Sequence, residues 1–159
     1  MNIFLLHSNP KIAARQACDQ HVVKMVTETA QILSTVHHIW GSDAPYRRTH
    51  AKHPCVVWAA ACTGNYKWLL EHGMALAAEY TFRYGKQHKA ELALLKLQRP
   101  PVAMPSSRRT PFVQCMPEEY QVPGDPVRAY RNFYVQDKSR FARWSKARKP
   151  PRWYIEETK

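Results

Sequence analysis

The chain is poor in several things at once. It holds 5 glycines and 4 cysteines in 159 residues, and its 12 acidic residues face 24 Lys and Arg. No stretch approaches the roughly 18 consecutive apolar residues of a membrane-spanning helix, so no such span is expected. The scarce glycines form neither GxGxxG nor a phosphate-binding P-loop, which argues against the common nucleotide-binding folds. HExxH and GxSxG are also missing. The four cysteines (Cys18, Cys55, Cys62, Cys115) are widely spaced and form no CxxC. With no secretory pattern in MNIFLLHSNP, they read as reduced thiols of a cytoplasmic protein. His53, Cys55 and Cys62 lack a recognised zinc spacing, so no metal and no cofactor is expected. Alternation of apolar and polar residues, the mark of strands, is absent over any useful length.

What is present is helical. Asn9-Pro10 is an N-cap followed by proline at the first helical position, and it opens a predicted helix running to about Trp40. Cys18, Val22, Met25, Thr29, Ile32, Val36 and Ile39 form its buried row, at alternating steps of four and three. Residues 41–53 read as a basic loop. His53-Pro54 starts a second helix, Thr63 caps a third, and Gly85 closes that third as a left-handed C-terminal residue. A shorter helix is expected over about 87–98. Residues 99–126 contain seven of the twelve prolines, which predicts a long ordered surface loop. Asp125-Pro126 restarts helix, expected to reach about Trp144, with a basic tail over about 145–159. The expectation is one all-α domain spanning 1–159, compact and monomeric.

The charge excess points to a polyanionic partner, of which nucleic acid is the commonest. Nine Lys and Arg stand between Arg128 and Arg152 against one acid, Asp137, with Tyr130, Phe133, Tyr134, Phe141, Trp144 and Trp153 among or beside them. Cations for phosphates and rings for bases make the composition that grips unpaired nucleotides, although each ring taken singly fits a core role as well. Arg47, Arg48, Arg83, Arg128, Arg131, Lys146, Arg148, Arg152 and Trp153 are the candidate nucleic-acid contacts.

The most concentrated chemistry lies on the first helix. His21, Lys24, Glu28 and Gln31 are separated by 3, 4 and 3 residues and share one stripe at the edge of the buried row. A carboxylate there is partly desolvated, as acid–base work requires. Spacing alone favours the plainer reading, a Lys24–Glu28 pair at i,i+4 on a charged boundary.

ACDQHVVKMVTE, residues 17–28, is similar to the N-terminal helix of the phage pyrimidine-dimer DNA glycosylases, the small endonuclease V type. In that family a DQH triplet is followed, seven residues after its histidine, by the catalytic glutamate. Here Asp19-Gln20-His21 is followed at that distance by Glu28. HPCVVWAAACTGNYKWLLEHGMALAAEYTFRYGK resembles the family's central helix pair, MPEEY an acidic-aromatic loop, and KPPRWY a tail motif. The resemblance implies a compact helical enzyme that flips a nucleotide from duplex DNA and cleaves a pyrimidine N-glycosidic bond. The family's nucleophile is its N-terminal α-amine, and its glutamate stabilises the charged sugar. The implied catalytic set is therefore Glu28, with His21, Lys24 and Asp19 as partners. Thr27 and Gln31 stand where the family carries arginines, and the bulk of Asn2 predicts that Met1 is retained. The amine would come from Met1 or Lys24; lacking both, Glu28 would activate water. Two rival readings remain, a base-hypermodifying enzyme that spares the sugar bond and a non-catalytic nucleic-acid-binding protein.

Overall fold

A computed structural model describes all 159 residues. It contains seven α-helices and no strand: α1 (Pro10–Gln16), α2 (Asp19–Ile39), α3 (Pro54–Ala60), α4 (Thr63–Tyr84), α5 (Glu91–Lys96), α6 (Pro126–Phe133) and α7 (Arg152–Glu157). No helix is long and apolar enough to cross a membrane.

The start signals act as their chemistry requires. Asn9 accepts from the amides of Lys11 and Ile12, and Asp125 accepts from that of Arg128, each just before a proline in the first turn. Gly85 ends α4 at φ 68°, in the left-handed region open to glycine. At α4's other end, Cys62 holds the N-cap position and Thr63 is already helical. No side chain caps this end. Instead the free amides of Thr63 and Gly64 donate to Pro105 and Ser107 carbonyls, at 2.9 and 3.1 Å. A helix start thus anchors the proline-rich segment, which is otherwise irregular apart from one tight turn at Glu118–Tyr120. A Cβ on Gly64 would lie 2.3 Å from the Arg109 nitrogen, so glycine allows this close approach.

Two long expected helices are divided. The chain leaves helix at Ala17 and Cys18, both extended, so α1 and α2 are separate. The break turns the first amide of α2 outward to the Arg143 carbonyl, 2.8 Å away. The last helix ends at Phe133 and runs into a wide π turn, Tyr134–Lys138, well short of Trp144. Tyr134, fully buried, hydrogen-bonds His21 and the Cys18 amide, and this anchoring favours the widened turn over continued α-helix. The expected tail contains α7, whose Trp153 donates to Gln16 Oε1 at 3.0 Å.

The core forms around α2 and α4, with Ile3–Leu6 buried beside them and α1, α3 and α5 packed around. Gly73 lets α4 approach α2: a Cβ there would meet the Thr29 methyl at 2.5 Å. Thr29 follows Glu28, so this contact helps to fix the depth at which the Glu28 stripe sits.

Candidate active site

The N-terminal segment crosses α2 next to Glu28. The Asn2 amide donates to Glu28 Oε2 at 3.0 Å, and the Met1 α-nitrogen lies 3.7 Å from the same oxygen. Lys24 Nζ stands 3.3 Å from Oε1. The carboxylate is largely enclosed, with 12% of its side chain exposed, whereas Lys24 is 70% exposed and reaches it from the solvent side. An α-nitrogen, a backbone amide and an ammonium therefore converge on one half-buried carboxylate.

These groups open onto a cavity of about 380 Å³, a size typical of small-ligand sites. Gln20, His21, Lys24, Met25 and Glu28 of α2 form one wall, and Met1, Asn2 and Phe4 another. Phe133 and Phe141 add rings, while Lys138 and Arg140 add positive charge. Phe4 stacks on His21, with centroids 4.0 Å apart, so the aromatic wall is built before any ligand enters.

His21 is buried with Nδ1 against the Tyr134 hydroxyl. Burial first, then the charges of Lys138 and Lys24, lower its pKa to about 3. It is thus a neutral imidazole at neutral pH, able to donate or accept a hydrogen bond but carrying no charge.

Asp19 does not join this group. It receives Arg83 at 2.9 Å and both the amide and hydroxyl of Ser145, at 2.7 and 3.0 Å. Arg83, expected at a phosphate, has a side chain with 0% exposure and also holds Glu79 at 2.8 Å. Glu79 in turn receives Arg148 through two bonds, 2.6 and 3.0 Å. Burial raises the Glu79 carboxyl, but hydrogen bonds from Arg148 and Arg83 outweigh it and hold the group below its ordinary value. Asp19, Arg83, Glu79 and Arg148 form a structural ion network joining α2, α4 and the 139–149 segment.

Among the other expected DNA contacts, Arg47, Arg48, Arg128, Lys146 and Arg152 are exposed. Arg152 pairs with Glu156 at 2.6 Å. Arg131 donates to the Leu6 carbonyl and lies over Trp153, 5.1 Å from its ring centre. None of these residues lines the cavity; the cations that do, besides Lys24, are Lys138 and Arg140. Their signal was the basic, ring-rich run from 128 to 152, which marks the region and not the individual side chains. Phe4 and Asn2 carried no signal beyond lying in a short apolar start.

A second cluster adjoins the site. One ligand atom each from His53, Cys55 and Cys115 lie within 4.8 Å of one another. Cys62, which sequence proximity had grouped with His53 and Cys55, instead donates to the Arg108 carbonyl at 3.4 Å. Cys115, sixty residues beyond Cys55, takes its place.

A family model described as pyrimidine dimer DNA glycosylase matches residues 1–92, more than half of the chain and every α2 residue of the cavity. No curated protein and no solved structure matches the chain. With the DQH-to-Glu28 spacing and the N-terminal segment laid against that glutamate, the match shows that this chain belongs to the pyrimidine dimer DNA glycosylase family.

Proposed function

We propose that the protein is a DNA glycosylase that excises a damaged or modified pyrimidine from duplex DNA, using the N-terminal α-amine as nucleophile and Glu28 as the catalytic carboxylate. The observation carrying this reading is the 3.7 Å approach of the Met1 α-nitrogen to Glu28, at the wall of a cavity lined by rings and cations. Should Met1 be removed, the α-nitrogen becomes that of Asn2, already 3.0 Å from the same oxygen. Both forms keep an amine beside the carboxylate.

The chemistry follows from this neighbourhood. An amine attacks only as the free base, and Glu28 is close enough to take up its proton. The α-nitrogen lone pair then forms a bond to the sugar C1′ as the bond from C1′ to the base nitrogen breaks, and the base leaves with that electron pair and is protonated. Charge accumulating on the sugar as the bond lengthens is stabilised by the Glu28 carboxylate, as in other glycoside cleavages. Ring opening of the resulting amino sugar yields a Schiff base, from which strand nicking by elimination can follow. The flipped nucleotide would lie among Phe4, Phe133 and Phe141, while Lys138, Arg140 and Lys24 meet the flanking phosphates. Lys24 is a poorer nucleophile candidate, because its exposed ammonium lies on the solvent side of the carboxylate.

The test is base release from duplexes carrying a pyrimidine dimer or single modified pyrimidines. Free base from the wild type, lost in Glu28→Gln with the fold retained, supports the reading. An altered nucleoside without free base would favour hypermodification. Binding with no product on any substrate would favour a non-catalytic protein.

A further inference from the structure

Beyond the glycosylase reading, the His53, Cys55 and Cys115 cluster has the chemistry of a metal site. His53 is the N-cap of α3, its Nδ1 accepting from the Cys55 amide at 3.2 Å; a neutral ring that accepts there carries its proton on Nε2, so ligation through either nitrogen displaces this one cap bond. Cys55 is buried and its sulfur lies 3.3 Å from that of Cys115, contributed by the proline-rich segment. Neither sulfur is in a disulfide. A tetrahedral zinc with bonds of about 2.3 Å to sulfur and about 2.0–2.1 Å to nitrogen holds its ligand atoms roughly 3.5–3.8 Å apart. The observed sulfurs need to separate by a few tenths of an ångström, and the histidine nitrogen needs to close in by at most about 1.3 Å. Side-chain rotation can supply both. Two thiolates and an imidazole form a soft donor set suited to zinc and unsuited to magnesium or calcium.

The cluster also has a task. The Cys115 backbone carbonyl holds Asn2 by accepting from its Nδ2 at 2.8 Å. The Tyr130 hydroxyl accepts from the Cys115 amide at 3.2 Å and donates to Asn2 Oδ1 at 3.0 Å. The Asn2 amide is the one that donates to Glu28. A metal joining Cys115 to α3 would therefore clamp the proline-rich segment, and through it the N-terminal segment, against the candidate active site. Asn2 Oδ1 is already engaged by Tyr130 and by the Ile3 amide, so the fourth metal position falls to water or another exogenous ligand.

We propose that His53, Cys55 and Cys115 form a zinc site that ties the 99–126 segment to α3 and fixes Asn2 beside Glu28. The experiment uses the full chain, purified under reducing conditions without chelator and assayed for metal by mass spectrometry. It is then loaded with cobalt as a spectroscopic substitute. One zinc per chain is expected, with cobalt giving thiolate charge-transfer absorption and the visible bands of a tetrahedral ion. Cys55→Ser and Cys115→Ser should each abolish both signals, while Cys62→Ser keeps them. Cys62 is as buried as Cys55, so that variant controls for damage to the core. Chelation should lower the thermal midpoint of the wild type and leave that of folded Cys115→Ser unchanged. A reduced, folded wild type with no bound zinc and no cobalt bands would overturn the proposal. Zinc retained in Cys55→Ser and Cys115→Ser, or a Cys55–Cys115 disulfide as the native state, would overturn it too. These readouts need no catalytic activity, so they stand or fall separately from the glycosylase reading.

Discussion

Arg83→Met should cripple stability and leave the intrinsic DNA contacts intact. The Arg83 guanidinium is fully enclosed and makes three hydrogen bonds: to Asp19 at 2.9 Å, to Glu79 at 2.8 Å and to the Arg15 carbonyl at 3.1 Å. Hydrogen bonds to charged groups are worth about 1.5–3 kcal/mol each, so the gross loss for the three is about 4.5–9 kcal/mol. Relief of the guanidinium's own desolvation offsets part of this. Asp19 keeps its two bonds from Ser145, and Glu79 keeps Arg148. Removing one partner of a buried pair costs about 3–5 kcal/mol net, and that range is expected here. Domains of this size hold only about 5–15 kcal/mol in all, so the variant should unfold at markedly lower denaturant. Urea unfolding followed by circular dichroism gives the difference. The slope of log affinity for duplex DNA against log salt should match the wild type wherever the variant is folded, because a buried arginine neutralises no phosphate. A stability loss under about 1 kcal/mol, or a shallower salt slope at full stability, would refute this account of Arg83.

Acid should destabilise the fold before its carboxylates titrate. Burial above all lowers His21 to about 3 and His72 to about 4, against about 6.5 in an unfolded chain. Below about pH 6.5 the unfolded state takes up protons that the folded state refuses, so stability falls as pH falls, by up to about 2–3 kcal/mol per pH unit for the two together. Glu79, held low, adds its own loss only below the ordinary glutamate range of about 4.3, so a fold equally stable at pH 7 and pH 5 would exclude neutral buried histidines. Gly73→Ala sets a methyl group 2.5 Å from the Thr29 Cγ2 and should cost about 1–3 kcal/mol in thermal unfolding, with partial recovery in the double variant Thr29→Ser; a neutral Gly73→Ala would contradict the close approach of α2 and α4. Glu28→Gln retains an oxygen for the Asn2 amide and should fold normally, yet lose base release by about 10²-fold or more.

The sequence showed its helix starts wherever a short polar cap precedes proline, as at Asn9-Pro10 and Asp125-Pro126, since that chemistry is local. Spacing within one helix marked Glu28 only as half of a boundary pair with Lys24, and the family resemblance made it a candidate catalytic group. The break at Ala17–Cys18 left no mark, because it contains neither glycine nor proline and is stabilised by Arg143, over a hundred residues away. Arg83 reads the same on a helix whether it meets a phosphate or two buried carboxylates, and only the fold brings Asp19 and Glu79 to it. Cys115 is equally unreadable as a partner of Cys55, since the proline-rich segment's path is set by the free amides at the start of α4. Local rules located most of the helix starts; long-range pairing decided where helices break and what each charged side chain meets.

The central claim is that an α-amine beside Glu28 attacks the sugar of a flipped nucleotide. Borohydride reduction of the protein with a duplex carrying a pyrimidine dimer, followed by peptide mass analysis, tests it directly. A covalent adduct on the α-nitrogen of the first residue, Met1 or Asn2, is the predicted result. Base release without any adduct, or an adduct on Lys24, would contradict it.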